Sequence, residues 1–484
     1  MEVISLNKKI AENILPHLEN SIPEGVVNHH TSYYTVALEG WRRGLKLTFH
    51  NSKRGGRVPS KAHQYTLSDG TTSYRFFCAR SSYVSEETIK IAENKTLAYE
   101  YMRKNNVPIP ETKTFNFSKT SIENICKFGS EIGYPLVVKP TNRGGGKGVF
   151  TNIKDENNLI KSLTSIRDDF NSKNVIIEKY FENAVDYRFY VMGDKVLAAS
   201  KSYSSNVIGD GKSNIRELIK IRNREIKKNV ATKSRKINID DNMKDFLKSQ
   251  NMSLESVPLV GERIFVREHG TYLGDRLNVD CTDDIDQKFK DYAVQALNSI
   301  PGLPCGSVDM IINEDINEGI VNEINSKGEI MMHVLPFEGK ARDIPKAIID
   351  YYFPNASRDR NENFYFEFKP IKDLFLTGVA DEIVVPQIPT GAEYIKEFTL
   401  KGNNLGSSYM RRLRRRAALL NLIGNIKKND EGNIQIKAIG SREQLDDFEI
   451  FIKDSKLRRS VLTDFKGSML SEFSGVSNIN FEII

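Results

Sequence analysis

Residues 136 to 148 read Leu-Val-Val-Lys-Pro-Thr-Asn-Arg-Gly-Gly-Gly-Lys-Gly. Leu136, Val137 and Val138 are a short apolar run of strand type, and Lys139 closes it with a charge. Pro140 has no N–H to give a ladder, and Gly144, Gly145, Gly146 and Gly148 follow. Glycines let successive backbone N–H groups converge on an anion with no Cβ in the way. Lys139, Arg143 and Lys147 surround that nest with positive charge. The Gly-x-x-x-x-Gly-Lys-Ser/Thr spacing of a Walker A loop is absent. On its own the stretch reads equally well as a basic surface hairpin, so the decision comes from what surrounds it.

Downstream, Val175-Ile176-Ile177-Glu178-Lys179-Tyr180-Phe181 reads as a buried strand running out into a polar and aromatic connector. Such a hinge can offer backbone groups to a flat base while its aromatics cover the ring. Asp186 and Arg188 follow, and residues 189–199 read as a strand pair turning at Gly193-Asp194 and closed by Lys201. The strongest chemical signal is Asp309 with Glu323 and Asn325, on two strands joined by the acidic turn 313–319. Side chains alternate along a strand, so Glu323 and Asn325 share a face, and Asp309 can meet them from the neighbouring strand. Oxygen ligands without His or Cys suit Mg²⁺ bridging phosphate oxygens, not zinc.

Upstream, residues 86–105 read as one helix carrying Lys95, stopped by Val107-Pro108-Ile109-Pro110. Ile122, Ile125, Phe128 and Ile132 mark the next helix. Residues 34–44 have helical spacing and end at Gly44; residues 45–49 and 74–78 read as strands. The basic loop between them, with Lys53, Arg54, Arg57 and Lys61, reads first as a solvated connector and second as a contact for an acidic substrate.

With 484 residues the chain is too long for one core, and a net charge of +7 fits anionic small ligands without demanding nucleic acid. No apolar run reaches spanning length and the start lacks a signal-peptide pattern, so a cytoplasmic protein with no membrane partner is expected. Cys78, Cys126, Cys281 and Cys305 form no Cys-x-x-Cys pair, which argues against a disulfide framework or a zinc site.

Residues 356–389 read as a linker. Beyond it, strand and helix patterns from Tyr394 to Ile483 fall in the order βαββαβ, the ferredoxin-like split. Arg411, Arg412, Arg414, Arg415 and Arg416 crowd its first helix. Without interleaved aromatics they read as a solvated or docked face, and nucleic acid is disfavoured.

The order Lys95, Lys139 with a glycine loop, Glu178 hinge, Asp309 and Glu323-x-Asn325 resembles the ATP-grasp superfamily. More closely, it is similar to the ATP-grasp domain of cyanophycin synthetases and bifunctional glutathione synthetases. The stretches 207–219, Pro258-Leu259-Val260-Gly261-Glu262, Val266-Arg267, Asp280-Cys281-Thr282-Asp283 and His333-Val334-Leu335-Pro336 carry that match. The resemblance implies that ATP and Mg²⁺ (two ions, with Mn²⁺ able to replace them) turn a carboxylate into an acyl phosphate that an amine attacks. It implies Lys95, Lys139 and Lys201 on phosphates beside Gly144, Gly145, Gly146 and Lys147. Adenine would lie on Glu178 and the backbone of Lys179, Tyr180 and Phe181, and the ribose near Asp186. Asp309, Glu323 and Asn325 would hold the metal, with Lys201 and Arg267 as the catalytic cations.

The chain departs from that pattern where it reads Glu268-His269-Gly270 after Arg267 and Lys327-Gly328 after Asn325, and both lie where substrates are expected. Residues 390–484 resemble the acylphosphatase family through Leu400-Lys401-Gly402, Gly424-Asn425-Ile426, residues 431–434 and Gly440. That family's phosphate-cradle arginine falls on Met410, beside Arg411, and its catalytic asparagine on Lys428, beside Asn429. The expectation is therefore an α/β, α+β multidomain chain. It comprises an N-terminal α/β domain (1–85), an ATP-grasp domain (86–355), the linker, and a catalytically degenerate acylphosphatase-like domain (390–484). Its expected partners are a small-molecule carboxylate and an amine, with a homo-oligomer left open. The alternatives are a nucleotide-sensing RNA- or protein-binding module and a phosphotransferase without an amine acceptor.

Overall fold

Asn94 breaks what reads as a single helix. The computed structural model describes residues 13–23, 25–52, 60–141, 148–267, 276–388, 392–454, 461–475 and 477–483, and in it Glu86–Glu93 and Lys95–Lys104 are separate helices. Asn94 caps the first with its backbone N–H, and its side chain accepts from Thr96 N (3.1 Å) and Leu97 N (3.3 Å) of the second. Asparagine competes with a helix in this way because its side chain offers the backbone another partner. Lys95 is thereby moved from mid-helix to a first turn.

The chain divides into two units that do not follow the expected linear division. One comprises residues 1–15, 27–32 and 77–344; the other comprises 16–26, 33–76 and 345–484.

In the first unit, strands Thr112–Asn116, Asn174–Lys179, Leu136–Pro140 and Phe150–Ile153 form an antiparallel sheet in that order. Helices Ile122–Ile132 and Glu156–Asp168 cover it through Ile125, Leu159, Leu163 and Ile166, packed on Leu136, Val138, Val175 and Ile177. A second antiparallel sheet runs in the order Leu277–Asp280, Lys195–Tyr203, Val185–Met192, Cys305–Asn313, Glu318–Asn325. Tyr187, Phe189 and Val191, with Val308, Met310 and Ile312, bury one face against Met102, Phe289, Ala293 and Leu297. The alternate positions carry the polar face. One row of register partners crosses all five strands there: Asp280, Ser200, Arg188, Asp309, Glu323.

A smaller layer pairs Asn206–Ile208 with Arg263–Phe265 under helices Ile215–Lys228 and Asp241–Ser249. Two of the stretches that carry the closer resemblance interlock here. Gly209 N donates to Glu262 O (2.8 Å) and Gly261 N to Gly209 O (2.9 Å). A Cβ at Gly209 would lie inside van der Waals contact with Leu259 O, so only glycine fits.

In the second unit, the expected linker is folded structure. Glu382–Val385 pairs antiparallel with Lys46–Ser52, which pairs in turn with Ser60–Ser68, a strand the sequence reading missed. Phe364, Phe366 and Phe368 are buried, and the rings of Phe366 and Phe368 lie against Tyr33, Tyr34, Trp41 and Phe49. Helix Lys369–Leu376 follows. Polar composition over 354–363 hid an aromatic alternation at 364, 366 and 368.

The last hundred residues form the expected split. Strand order is Val461–Gly467, Tyr394–Asn403, Ile434–Gly440, Ile423–Lys428, Phe481–Ile483, antiparallel except for the last pair. Helices Ser407–Leu419 and Arg442–Asp454 pack through Leu413, Ala417, Leu445 and Phe448 onto Phe398, Leu400 and Ile436. Gly424 has φ +144, and a Cβ there would collide with Lys437 O of the paired strand. Gly424→Ala is therefore expected to cost about 2 kcal/mol or more, read as a lowered urea midpoint, because both φ and the close approach exclude a side chain.

Candidate functional site

Lys139 lies on the strand Leu136–Pro140, flanked on both sides, and is 5% exposed. Val137 is the register partner of Glu178, so Lys139 and Glu178 share a face. The ammonium of Lys139 meets Glu178 Oε2 at 2.8 Å, Asn322 Oδ1 at 3.0 Å and Tyr99 Oη at 3.4 Å. An ammonium has three protons and no lone pair, so it can only donate to these groups. Burial pushes the Lys139 pKa down, and Glu178 opposes that shift. The Tyr99 hydroxyl lies 3.0 Å from Glu178 Oε1 and 2.9 Å from Asn322 O. Its own pKa is raised by burial and then by the Glu178 charge, which keeps it a neutral donor.

Asp309 and Glu323 face each other across paired strands, with Asn325 one pleat further on, opposite Ser307. Arg188 grips Asp309 through Nε (2.5 Å) and Nη2 (2.6 Å). Asn325 Nδ2 donates to Asp309 Oδ2 (3.3 Å), and Lys95 pairs with Glu323 Oε1 (2.9 Å). Among the described residues no three His, Cys, Asp or Glu side chains gather as a metal cage. The converging donor set is two carboxylates and an amide oxygen, hard ligands that fit Mg²⁺ or Mn²⁺ completed by phosphate oxygens and water. Both carboxylates already carry a cation of the protein, which shows the local field that draws positive charge.

Register breaks between these strands: Asp309 pairs with Glu323, but Met310 pairs with Val321. Asn322 is the extra residue of a β-bulge. Val321 and Ile324 are therefore both buried in the core although three positions apart, while Asn322 and Glu323 both face the lysines. Strict alternation assigns Asn322 to the core face, which is why sequence reading missed it. The buried pair at spacing three was the available signal.

The other expected residues are placed as follows. Lys201 Nζ sits 2.5 Å from Glu314 Oε2, over the rings of Tyr203 (4.9 Å) and Tyr187 (5.8 Å). Burial raises the Glu314 pKa, but hydrogen bonds from Lys201 and Tyr187 outweigh it and hold the carboxyl below its usual range. Asp186 pairs with Arg276 (2.5 Å). Arg267 is buried and forks onto Asp240 (2.7 and 3.2 Å), the N-cap of helix Asp241–Ser249.

The hinge differs in detail from expectation. Glu178 is turned inward onto Lys139, and Lys179 Nζ caps Gly133 O (3.0 Å) and Tyr134 O (2.9 Å). The N–H groups of Lys179 and Tyr180 go to Glu111 O (2.9 Å) and Pro135 O (3.0 Å). A side-chain role for Glu178 against a base is thus replaced by one against Lys139. A cavity of about 390 Å³ opens beside the hinge, lined by Tyr134, Pro135, Asn152, Lys154, Tyr180, Glu182 and Asn183. Gly144, Gly145, Gly146, Lys147 and residues 268–275 lie outside the described residues.

In the last domain, Met410 packs on the core and Lys428 is exposed at a strand end. The amide of Asn429 closes the following turn by accepting from Asn433 N (2.9 Å). Arg412 and Arg416 lie over the ring of Phe451 (5.5 and 5.4 Å), so part of the arginine face is spent on the protein itself. Among the described residues no helix is long and apolar enough to cross a membrane.

Comparison with known proteins gives matches over this same region. Residues 94–215 match the family described as carbamoyl-phosphate synthase L chain, ATP binding domain. The glutathione biosynthesis bifunctional protein GshAB of Clostridium perfringens is 30% identical over 300 residues, covering 60% of this chain and 37% of the relative. Cyanophycin synthetase of Synechocystis sp. is 25% identical over 366 residues, covering 70% of this chain and 40% of the relative. The chain thus spans about two fifths of the length of these curated relatives. The crystal structure of a bifunctional glutathione synthetase from Pasteurella multocida aligns at 24% identity with a TM-score of 0.47, over 60% of this chain and 41% of that one.

Proposed function

We propose, from the premise that this chain carries an ATP-grasp domain homologous to that of its curated relatives, that it is an ATP-dependent carboxylate–amine ligase. A carboxylate oxygen attacks the γ-phosphorus of ATP and the β–γ bridging bond breaks, releasing ADP. The nitrogen of an amine then attacks the acyl carbon, the bond to phosphate oxygen breaks, and phosphate leaves as the nitrogen loses a proton. An amino acid, a peptide or a peptide-like molecule supplies the reacting groups, in the cytoplasm where ATP is abundant.

One observation carries this reading: Lys95 and Lys139, from separate elements, converge on the strand that bears Glu323 and Asn325 opposite Asp309. Phosphoryl transfer needs positioning and charge neutralisation more than a nucleophile of the protein's own, and this array supplies both. Lys139, Lys95 and Lys201 hold phosphate oxygens, and the hinge from Lys179 to Phe181 holds the base with the ribose toward Asp186. Three residues separate Lys139 from the strand end at Leu136, whose register partner is Lys179. That distance, about 10 Å, suits a nucleotide lying along the strand from hinge to phosphates. Asp309, Glu323 and Asn325 hold Mg²⁺, which when bound neutralises the charge developing on the transferred group. Arg267, fixed by Asp240, faces the acyl phosphate. The glycine loop from Gly144 to Lys147 covers the phosphates.

The test is a scan of amino acids and short peptides, in pairs, for ADP release with ATP and Mg²⁺, followed by a mass spectrum of the product. A product whose mass equals the sum of its two substrates less one water supports the ligase. ADP release with a phosphorylated product and no condensation favours the phosphotransferase.

A further inference from the structure

Asn322 accepts a hydrogen bond from Lys139. Its amide has two ends, and the chemistry of its neighbours fixes which is which. Lys139 can only donate, so the group 3.0 Å from its ammonium must be the amide oxygen. The Tyr99 hydroxyl, 3.5 Å away, meets the same oxygen. The Asn322 NH₂ is therefore turned from both. It donates to no group among the described residues, and Asn322 is only partly buried. Asn322 stands between Lys139 and Glu323, which binds Lys95, and the bulge is what brings these neighbours in sequence to the same face.

We propose that Asn322 is a phosphate-binding residue: Lys139 orients its amide so that the NH₂ group donates to the phosphate held by Lys139 and Lys95. This rests on the nucleotide-binding reading of the site. The bulge would then have a chemical purpose, since a regular strand would point this amide into the core and leave one donor fewer at the phosphates. Amide donors at a transferring phosphate add no charge. They can follow the oxygen through the reaction without competing with Lys139 for Glu178.

Asn322→Asp separates this role from a structural one. Aspartate has the same shape and keeps an oxygen for Lys139, so a purely structural asparagine is replaced at little cost. A phosphate donor is replaced by a negative charge. Binding of ATP with Mg²⁺ to the full chain, measured by titration calorimetry, is expected to weaken at least about tenfold at pH 8, the scale of a lost charge-assisted hydrogen bond plus repulsion. Part of the affinity should return as pH falls and the new carboxyl takes a proton. Asn322→Ser, which keeps an oxygen for Lys139 without adding charge, is expected to bind several-fold more weakly at every pH, and it serves if the aspartate variant does not fold. Unchanged affinity in a folded variant overturns the inference while leaving the nucleotide site standing. A parent chain that binds no adenine nucleotide overturns both.

Discussion

Glu323→Gln is expected to fold and melt like the parent chain while releasing ADP at least about a hundredfold more slowly, the scale on which loss of one charge-stabilising group is felt. Its pairing with Lys95 is partly exposed, so removing that charge should cost under about 1 kcal/mol. Among the described residues no arginine is fixed to this carboxylate, in contrast to Asp309. Exchanging Lys95 for a divalent cation is thus easier at Glu323 than at Asp309, where a bidentate guanidinium must give way. Turnover should be followed on the substrate pair that the amino-acid scan identifies, at several Mg²⁺ concentrations. Near-parent rates at ordinary Mg²⁺ would remove Glu323 from the metal site.

The second large effect concerns stability. Glu178→Ala leaves the buried ammonium of Lys139 without its carboxylate, and the Tyr99 hydroxyl with only Asn322 to accept from it. Breaking such a pair costs about 3–5 kcal/mol, because the remaining charge stays desolvated. Lys139→Met combined with Glu178→Leu removes both charges and should recover much of the loss, while abolishing nucleotide binding. A chemical denaturation series on the parent, Lys139→Met, Glu178→Leu and the double variant gives the coupling directly. If Glu178→Ala unfolds at the parent's denaturant concentration, the pair is solvated and the buried reading of the site is wrong.

How much of this was legible in the sequence depended on whether the pattern was local. Strands such as Leu136–Pro140 and Asn174–Lys179 announce themselves by apolar runs, and the oxygen ligands on Cys305–Asn313 and Glu318–Asn325 follow from alternation. Alternation failed where the chain broke it, at the Asn322 bulge, and a helical pattern hid the Asn94 break because capping does not disturb apolar spacing. Partners were the least visible. That Arg188 belongs to Asp309, Tyr99 to Glu178 and Glu314 to Lys201 is decided by contacts more than 75 residues apart, for which one sequence offers no signal. The same holds for residues 364–385, where polar surroundings outweighed three alternating phenylalanines.

That last segment has a consequence for how the chain is made. Lys46–Ser52 emerges early from the ribosome, yet its neighbour Glu382–Val385 and the rings of Phe364, Phe366 and Phe368 come after all of residues 77–344. At ordinary translation speeds of about 5–20 residues per second, those roughly 270 residues take about 13–54 s to appear. For that interval Tyr33, Tyr34, Trp41 and Phe49 lack the rings of Phe366 and Phe368 that lie against them in the folded chain. The nascent chain thus carries an unfinished sheet and an incompletely covered aromatic helix face through the synthesis of residues 77–344.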